Sequence, residues 1–434
     1  MSRLVASPSP GFGGTATLPG DKSVSHRALI LAAMAEGESR LTGLADNEDV
    51  ARTRAAVEAL GANIVEDGDA LQVTGRVWTS PDAPIDCGNS GTTARLLMGA
   101  CAGVDGLAAT LTGDASLSAR PMKRVTEPLS RMGARFEGGD TLPITVHGAR
   151  LGGIDHEGRI PSAQVKSAIL LAGLRSGGPV RVVEPFSSRD HTEVMLAQFG
   201  VEGAIEEVVK GMAVSLGERR SLTPTDITIP GDPSSAAFLW AAAAVVEGGE
   251  VTTPGICVNA TRTGFLEALD AMGADVRLDN ERLQSGEPVA DVTVRHRRLT
   301  PIEWGPDHVA ATIDELPLLA ICAAFAEGET LLEGLGELRV KESDRLGAVA
   351  AGLAANGVSV FPTGDALRIL GRHRVRGGGT VATAGDHRIA MGFLVLGLAA
   401  DNPVTIDDGS GIATSFPAFV ETMRALGATI EEPA

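Results

Sequence analysis

The sequence is poor in aromatic residues and in cysteine. It has no tyrosine, three tryptophans and four cysteines among 434 residues, and aromatic residues make up 3% of the chain. The interior must therefore be aliphatic, and 44% hydrophobic residues are enough for packed cores. The cysteines form no C-x-x-C pair, so neither a disulfide framework nor a paired-cysteine zinc site is indicated. Cys101 and Cys322 lie in apolar runs and are predicted to be buried thiols.

The chain also has no basic tail and no long apolar run. Its formal net charge of −18 argues against nucleic-acid binding, which needs a basic face. The N-terminus shows no signal-peptide pattern, and the longest apolar run, residues 236–246, is too short to span a bilayer. These absences predict a cytoplasmic protein in which any anion site is a local basic pocket.

Six segments of the chain share one plan, and the length favours two domains. Each segment has a Gly/Pro/Asp turn with small polar residues, an Ala/Leu-rich helix, and later an amphipathic helix followed by glycine and a Val/Leu/Thr strand. A glycine after the last helical turn suits a left-handed helix cap. These glycines recur about every 70 residues, at Gly61, Gly133, Gly200, Gly273, Gly357 and Gly427.

Charged side chains gather where these helices are predicted to begin. A helix start offers unpaired N–H groups and a positive dipole end, and nearby Lys and Arg side chains complete a seat for phosphate or carboxylate. Lys341 and Arg345 are four residues apart and are predicted to share one helix face. The plainer interpretation of Asp314 is a helix N-cap. Seven cations follow this pattern, with Asp314 and Glu342 as candidate acid/base groups: Lys22, Arg27, Arg120, Arg189, Lys341, Arg345 and Arg388.

Six motifs, taken in order, resemble those of one enzyme family. They are similar to the motif set of the 3-phosphoshikimate 1-carboxyvinyltransferases, or EPSP synthases, and the resemblance covers the chain end to end. The motifs are residues 20–27 (GDKSVSHR), 88–92 (GNSGT), 112–122 (TGDASLSARPM), 161–164 (PSAQ), 339–345 (RVKESDR) and 385–388 (GDHR).

The resemblance implies an α/β fold, the two-domain inside-out α/β barrel of enolpyruvyl transferases. This fold has six β-α-β-α-β-β repeats, three in each domain. Residues 1–20 and 231–434 would form the first domain and residues 21–230 the second, with Pro-Gly pairs as hinges at both crossovers. The active site would lie in the interdomain cleft, which would close on substrate.

The resemblance also implies a reaction. The enolpyruvyl group of phosphoenolpyruvate would move to the 5-hydroxyl of shikimate 3-phosphate, through a tetrahedral intermediate, with release of phosphate. The enol C3 is protonated and later deprotonated, which requires acid/base groups on both sides of one carbon. By resemblance, Asp314 would take the 5-hydroxyl proton, and Glu342 with Lys22 would manage the C3 and phosphate protons.

The resemblance also implies a monomer that needs no metal or organic cofactor. The same motifs imply the residues that bind the substrates. Phosphoenolpyruvate would be held by Lys22, Gly91, Arg120, Gln164, Arg345 and Arg388. Shikimate 3-phosphate would be held by Lys22, Ser23, Arg27, Ser162, Gln164, Arg189, Asp314 and Lys341.

Several positions depart from the commonest family pattern. Ala163 replaces a serine, Arg189 stands where many members have tyrosine, and Thr414 stands where many have a lysine that contacts phosphoenolpyruvate. These changes resemble the bacterial subclass associated with tolerance of the inhibitor glyphosate. Tolerant members carry alanine at the position of Gly91, however, so this chain is expected to be at least partly glyphosate-sensitive.

Two alternatives remain at this point. The sister enzyme, which transfers enolpyruvyl to UDP-N-acetylglucosamine, shares the fold, but its reactive cysteine corresponds to Ala115 and its Lys-Asn pair to Lys22-Ser23. A non-catalytic repeat scaffold that only binds anions is the other alternative. The sequence contains Asp314 and Glu342 as well as every expected cation, which argues against a non-catalytic scaffold.

Overall fold

The computed structural model describes residues 3–209 and 211–433 of the chain. Its α-helices are α1 (Lys22–Met34), α2 (Glu48–Ala59), α3 (Gly91–Ala102), α4 (Ala115–Ser118), α5 (Lys123–Met132), α6 (Ala163–Gly173), α7 (His191–Gln198), α8 (Pro233–Val245), α9 (Gly264–Ala271), α10 (Pro306–Thr312), α11 (Leu316–Ala324), α12 (Arg345–Ala355), α13 (His387–Ala399) and α14 (Phe419–Ala425). Two 3₁₀ helices cover Leu335–Val340 and Ser410–Thr414.

The strands are short and alternate with these helices. They are β1 (Leu4–Ser7), β2 (Gly13–Thr15), β3 (Gly37–Thr42), β4 (Asn63–Asp67), β5 (Ala70–Gly75), β6 (Ile85–Asp86), β7 (Ala108–Thr112), β8 (Arg135–Gly138), β9 (Ile144–His147), β10 (Ile154–Glu157), β11 (Val180–Glu184), β12 (Gly203–Val208), β13 (Gly211–Leu216), β14 (Ile227–Thr228), β15 (Glu250–Cys257), β16 (Asp275–Gln284), β17 (Glu287–Arg295), β18 (Glu303–Trp304), β19 (Gly328–Leu332), β20 (Ser359–Thr363), β21 (Ala366–Gly371), β22 (Thr380–Val381), β23 (Val404–Ile406) and β24 (Thr429–Glu431).

The chain divides into two compact units. Unit 1 comprises Met1–Pro19, Gly231–Arg282 and Pro288–Ala434, and unit 2 comprises Gly20–Pro230 and Leu283–Glu287. Two details differ from the boundaries inferred above, because Gly20 and the tip of the β16–β17 hairpin group with unit 2. Within unit 2 the tip is held by hydrogen bonds: Ser285 Oγ accepts from the backbone N–H of Thr228 at 2.9 Å.

Each unit contains three four-stranded sheets built to one plan. The strand orders are β22-β23-β1-β24, β16-β17-β15-β2 and β18-β19-β21-β20 in unit 1, and β14-β3-β5-β4, β6-β7-β9-β8 and β10-β11-β13-β12 in unit 2. In every sheet one pair is parallel and the other two pairs are antiparallel, as a β-α-β-α-β-β repeat requires. The predicted six repeats are confirmed, and among the described residues no sheet closes on itself as a barrel.

Buried helices form the centre of each unit. In unit 1, α8, α11 and α13 are buried along nearly their whole length, and α1, α3 and α6 play the same part in unit 2. Their small residues allow close packing: a methyl group on Gly99 of α3 would lie 2.2 Å from the carbonyl oxygen of Ala168 on α6. The cores are aliphatic, as the composition predicts.

The backbone confirms the predicted ends of six helices. All six glycines that were expected to end helices have positive φ angles, between 82° and 117°. Two of the buried helices, α1 and α13, begin with aspartate caps: the Asp21 carboxylate accepts from Val24 N–H at 2.8 Å, and the Asp386 carboxylate accepts from Arg388 N–H at 2.9 Å. All four cysteines are buried, and none of them is in a disulfide. In the described part of the chain, no helix combines the length and hydrophobicity needed to cross a membrane.

Candidate active site

Lys22 is the first residue of α1, directly after the capping Asp21. Its Nζ lies 3.0 Å from Asp49 Oδ2, and its side chain keeps 21% of its surface exposed. Asp49 belongs to the first turn of α2. It was not among the predicted site residues. The helix start supplies a positive dipole end beside the ammonium group, so that this end of unit 2 can receive an anion.

Gly91 begins α3 beside two guanidinium groups. A methyl group at Gly91 would lie 2.6 Å from Arg95 Nη1 and 3.4 Å from Arg120 Nη1. Arg120 Nη2 donates to Asn89 Oδ1 at 2.6 Å. Arg95 Nη1 donates to Gln164 Oε1 at 2.9 Å, which joins the start of α3 to the start of α6. Arg95 was not predicted as a site residue, although it lies one helical turn after Gly91.

Arg27 is buried and makes bonds to both its own helix and its neighbours. Its Nε donates to Thr192 Oγ1 at 2.6 Å, its Nη2 to Ser167 Oγ at 2.9 Å and its Nη1 to the carbonyl of Ser23 at 2.9 Å. Burial lowers the pKa of Arg27 to about 10. Arg189 Nη1 lies 3.4 Å from Ser23 Oγ and donates to it, so that both arginines meet at the start of α1.

A buried chain of polar groups connects α1 to α3. His26 Nδ1 lies 2.6 Å from Thr53 Oγ1, which lies 2.6 Å from Thr93 Oγ1, which in turn donates to Ser90 Oγ at 2.7 Å. Burial, and after it the positive charge of Lys22, lowers the pKa of His26 well below its usual range. His26 is therefore a neutral structural link at neutral pH.

In unit 1, Arg345 holds three carboxylates. Its Nη2 lies 2.6 Å from Glu342 Oε2, its Nη1 3.6 Å from Asp314 Oδ1 and its Nε 2.8 Å from Asp386 Oδ2. Burial alone would lower the pKa of Arg345, but Asp386 and Glu342 outweigh it and raise the pKa above its usual value. One guanidinium with 1% side-chain exposure thus holds both predicted acid/base residues beside each other.

Arg388 approaches Asp314 from the start of α13. Its Nη2 lies 3.6 Å from Asp314 Oδ2, and its Nη1 donates to the carbonyl of Asp314 at 2.8 Å and to Glu315 Oε1 at 3.2 Å. Glu315 Oε1 also accepts from the hydroxyl of Ser234 at 2.5 Å. Glu315 is a buried residue that sequence reasoning missed, and it holds Arg388 in place.

One local prediction in this region is wrong. Lys341 and Arg345 do not share a helix face, because α12 begins only at Arg345 and Lys341 follows a 3₁₀ helix. Asp344 stops the helix from extending further back, since its side chain caps Gly347 N–H at 3.0 Å. The plainer interpretation of Asp314 also fails: Glu315 is the N-cap of α11, and Asp314 faces the two arginines.

Thr414 stands at the position where many family members have lysine, and its Oγ1 donates to the carbonyl of Gly411 at 2.7 Å.

The predicted site residues form two groups, one in each unit. The unit 2 group is Lys22, Ser23, Arg27, Gly91, Arg120, Ser162, Gln164 and Arg189. The unit 1 group is Asp314, Lys341, Glu342, Arg345 and Arg388.

Comparison with known sequences finds one family along nearly the whole chain. Residues 9–423 match the family described as EPSP synthase (3-phosphoshikimate 1-carboxyvinyltransferase). The 3-phosphoshikimate 1-carboxyvinyltransferase of Phenylobacterium zucineum is 50% identical over 434 residues, covering 99% of this chain and 96% of the relative. The enzyme of the same name from Cereibacter sphaeroides is 50% identical over 424 residues, covering 96% of this chain and 95% of the relative.

Solved structures give the same result. An EPSP synthase from Acinetobacter baumannii superposes with a TM-score of 0.87 at 41% identity, with 99% of both chains covered. The enolpyruvyl transferase NikO from Streptomyces tendae superposes with a TM-score of 0.79 at 21% identity, covering 99% of this chain and 98% of that one. The second likeness concerns the fold alone.

Proposed function

Because the chain belongs to the EPSP synthase (3-phosphoshikimate 1-carboxyvinyltransferase) family and is an enolpyruvyl transferase of the shikimate pathway, we propose how its residues divide the reaction. The donor is phosphoenolpyruvate, the acceptor is the 5-hydroxyl of shikimate 3-phosphate, and phosphate leaves. Asp314 takes the proton of the acceptor hydroxyl. Glu342 and Lys22 manage the protons at C3 and at the departing phosphate.

The arrangement around Arg345 supports these roles most directly. Asp314 and Glu342 each contact the same buried guanidinium, at 3.6 and 2.6 Å, so that two carboxylates lie beside each other at the edge of the unit 1 core. Two acid/base groups that flank one carbon are what addition followed by elimination requires. Arg345 and Arg388 supply positive charge for the carboxylate and phosphate of the donor.

The unit 2 residues suit anionic substrates by the same argument. Lys22 begins α1 and Arg189 lies just before α7, where backbone N–H groups add to their charge. Arg120 follows the end of α4, and its guanidinium reaches the start of α3 by donating to Asn89. We propose that Ser23, Arg27, Ser162, Arg189 and Lys341 hold shikimate 3-phosphate. Gln164 and Gly91 would contact phosphoenolpyruvate, and Gln164 the acceptor as well.

Phosphate release from phosphoenolpyruvate tests the function. The purified chain is incubated with shikimate 3-phosphate or with UDP-N-acetylglucosamine as the acceptor, and inorganic phosphate is measured. Release with the shikimate ester alone is expected. Release with the sugar nucleotide would move the chain to the sister activity, and no release with either acceptor would favour an anion-binding scaffold.

Inhibition by glyphosate is a further part of the proposal, and its test is the substitution Gly91→Ala. The added methyl group would lie 2.6 Å from Arg95 Nη1 and 3.4 Å from Arg120 Nη1, so that guanidinium groups must shift where the donor or inhibitor binds. Gly91→Ala is expected to raise the inhibition constant of glyphosate by about tenfold or more, since an overpacked site costs on the order of 1–3 kcal/mol.

The matched control is Gly139→Ala, because a methyl group at Gly139 meets nothing within 4 Å. This control should leave the inhibition constant and both KM values unchanged. If glyphosate inhibits the wild type no better than Gly91→Ala, then Gly91 does not leave room for the inhibitor and the expected sensitivity is refuted.

The proposal also includes a cytoplasmic location, as the sequence composition predicts, and a monomer, as the family resemblance implies. Four buried cysteines without a disulfide fit a reducing compartment. Sedimentation of the purified chain would measure the oligomeric state directly.

A further inference from the structure

A buried carboxylate outside the predicted residues holds two segments that carry them. Glu184 is the last residue of β11 and is 4% exposed. Its Oε1 accepts from the backbone N–H of Ser162 at 2.6 Å, and its Oε2 accepts from the hydroxyl of Ser188 at 2.7 Å. Ser162 caps α6, and Ser188 directly precedes Arg189. One side chain therefore ties the start of α6 to the segment that carries Arg189.

Lys166 completes this arrangement from the first turns of α6. Its Nζ lies 3.1 Å from Glu184 Oε2 and 2.8 Å from Glu193 Oε1 on α7, and it donates to the carbonyl of Ser188 at 3.4 Å. All three charged side chains are at most 7% exposed. Burial alone would lower the pKa of Lys166, but the two carboxylates outweigh burial and raise it, so that the lysine stays charged.

This buried arrangement lies beneath side chains assigned to the acceptor. Ser162 and Gln164 belong to the first turn of α6, and Arg189 lies between Ser188 and the start of α7. Arg189 also reaches Ser23 Oγ, at 3.4 Å. A displacement of either segment would move donors relative to a bound phosphate, and small displacements of positioning groups have large effects on binding and rate.

We propose that Glu184 is a positioning residue for the shikimate 3-phosphate site. Its carboxylate, with Lys166 as its counterion, accepts hydrogen bonds from Ser162 and Ser188 and so fixes the two segments relative to each other. It touches no substrate and acts through Ser162 and Arg189, which are assigned to the acceptor alone. This inference rests on the proposed assignment of those residues to the acceptor.

The variant Glu184→Ala tests the proposal. It removes both hydrogen bonds, while Lys166 keeps Glu193 as a partner at 2.8 Å, so no buried lysine is left without a counterion. The KM for shikimate 3-phosphate is expected to rise by about 10-fold to 100-fold. The KM for phosphoenolpyruvate and kcat should change by less than about threefold, because a loss of uniform acceptor binding appears in one KM.

Two further variants sharpen the comparison. Glu184→Gln keeps an oxygen that can accept from Ser162 N–H, and it should recover part of the acceptor affinity. Glu206→Ala removes an exposed glutamate from β12 of the same sheet and should behave as the wild type. Binding of shikimate 3-phosphate without phosphoenolpyruvate, measured by titration calorimetry, gives a readout that does not depend on turnover.

The outcomes are distinguishable. An unchanged KM and dissociation constant for shikimate 3-phosphate in a folded Glu184→Ala or Glu184→Gln would overturn the proposal. A parallel rise in both KM values with a lowered melting temperature in both variants would show a general structural role, and would overturn it as well. If the wild type itself neither binds nor uses shikimate 3-phosphate, it is the proposed function that fails.

Discussion

Replacing Lys22 by methionine is expected to lower kcat for the shikimate 3-phosphate reaction by about 100-fold to 10,000-fold, the range for loss of a general acid or base. Lys22 combines a proton that can be transferred with a positive charge at the start of α1, and methionine keeps only the length of the chain. Because the Lys22 side chain is 21% exposed, methionine should cost little stability. The measurement is kcat by phosphate release, with thermal melting as the test of folding.

The substitution also leaves Asp49 without the ammonium group that lies 3.0 Å away. Asp49→Asn and the double variant therefore separate the loss of the lysine from the effect of an unpaired carboxylate. Lys123→Met, at an exposed position of α5, is the matched control for the lysine itself. Near-normal turnover in the folded Lys22→Met protein would remove Lys22 from the mechanism.

The helix ends could be predicted from the sequence because their signals are local. The turn after Leu60 needs a positive φ, which is 113° at Gly61, and glycine supplies it without steric cost. Asp21 and Ser90 can cap the residues three positions ahead whatever the rest of the chain does, and both do so. Six copies of such local signals were enough to count the repeats.

The partners of the charged groups could not be predicted, because they depend on packing between distant segments. Glu184 reaches Ser162 across 22 residues of chain, and Arg388 reaches Glu315 across 73. Neither glutamate carries a local pattern that distinguishes it from an exposed one. The prediction of where α12 begins was wrong for a related reason. The four-residue spacing of residues 341 and 345 fits a helix, but the cap at Asp344 decides where the helix begins.

The buried acids illustrate this difference between local pattern and tertiary contact. The motif around Arg345 indicated a charge cluster, but the motif alone does not distinguish a buried cluster from an exposed one. The contacts distinguish the two, since Arg345 is fully buried and binds Asp386, Glu342 and Asp314 together. A buried guanidinium is costly unless its charge is paired, and these acids pair it.

Glu342→Gln and Asp314→Asn are expected to lower kcat by about 100-fold to 10,000-fold each, but at different steps of the reaction. Both variants should fold, because Arg345 keeps Asp386 at 2.8 Å in either case. The assigned roles predict different behaviour toward the tetrahedral intermediate. Its breakdown in either direction removes a C3 proton, the role assigned to Glu342 with Lys22, and forward breakdown also releases phosphate. Only the return to substrates needs a proton on the acceptor oxygen, the role assigned to Asp314.

Supplied with the isolated intermediate, Asp314→Asn should therefore still form the enolpyruvyl product, and Glu342→Gln should not. Rapid quenching and measurement of product, phosphate and recovered phosphoenolpyruvate give the partition for each variant. Glu303→Gln, at an exposed position of β18, is the matched control and should partition as the wild type does. If the two variants divide the intermediate in the same proportions, the carboxylates do not have separate protons to move, and Arg345 would then be holding a single acid/base pair that acts at both steps.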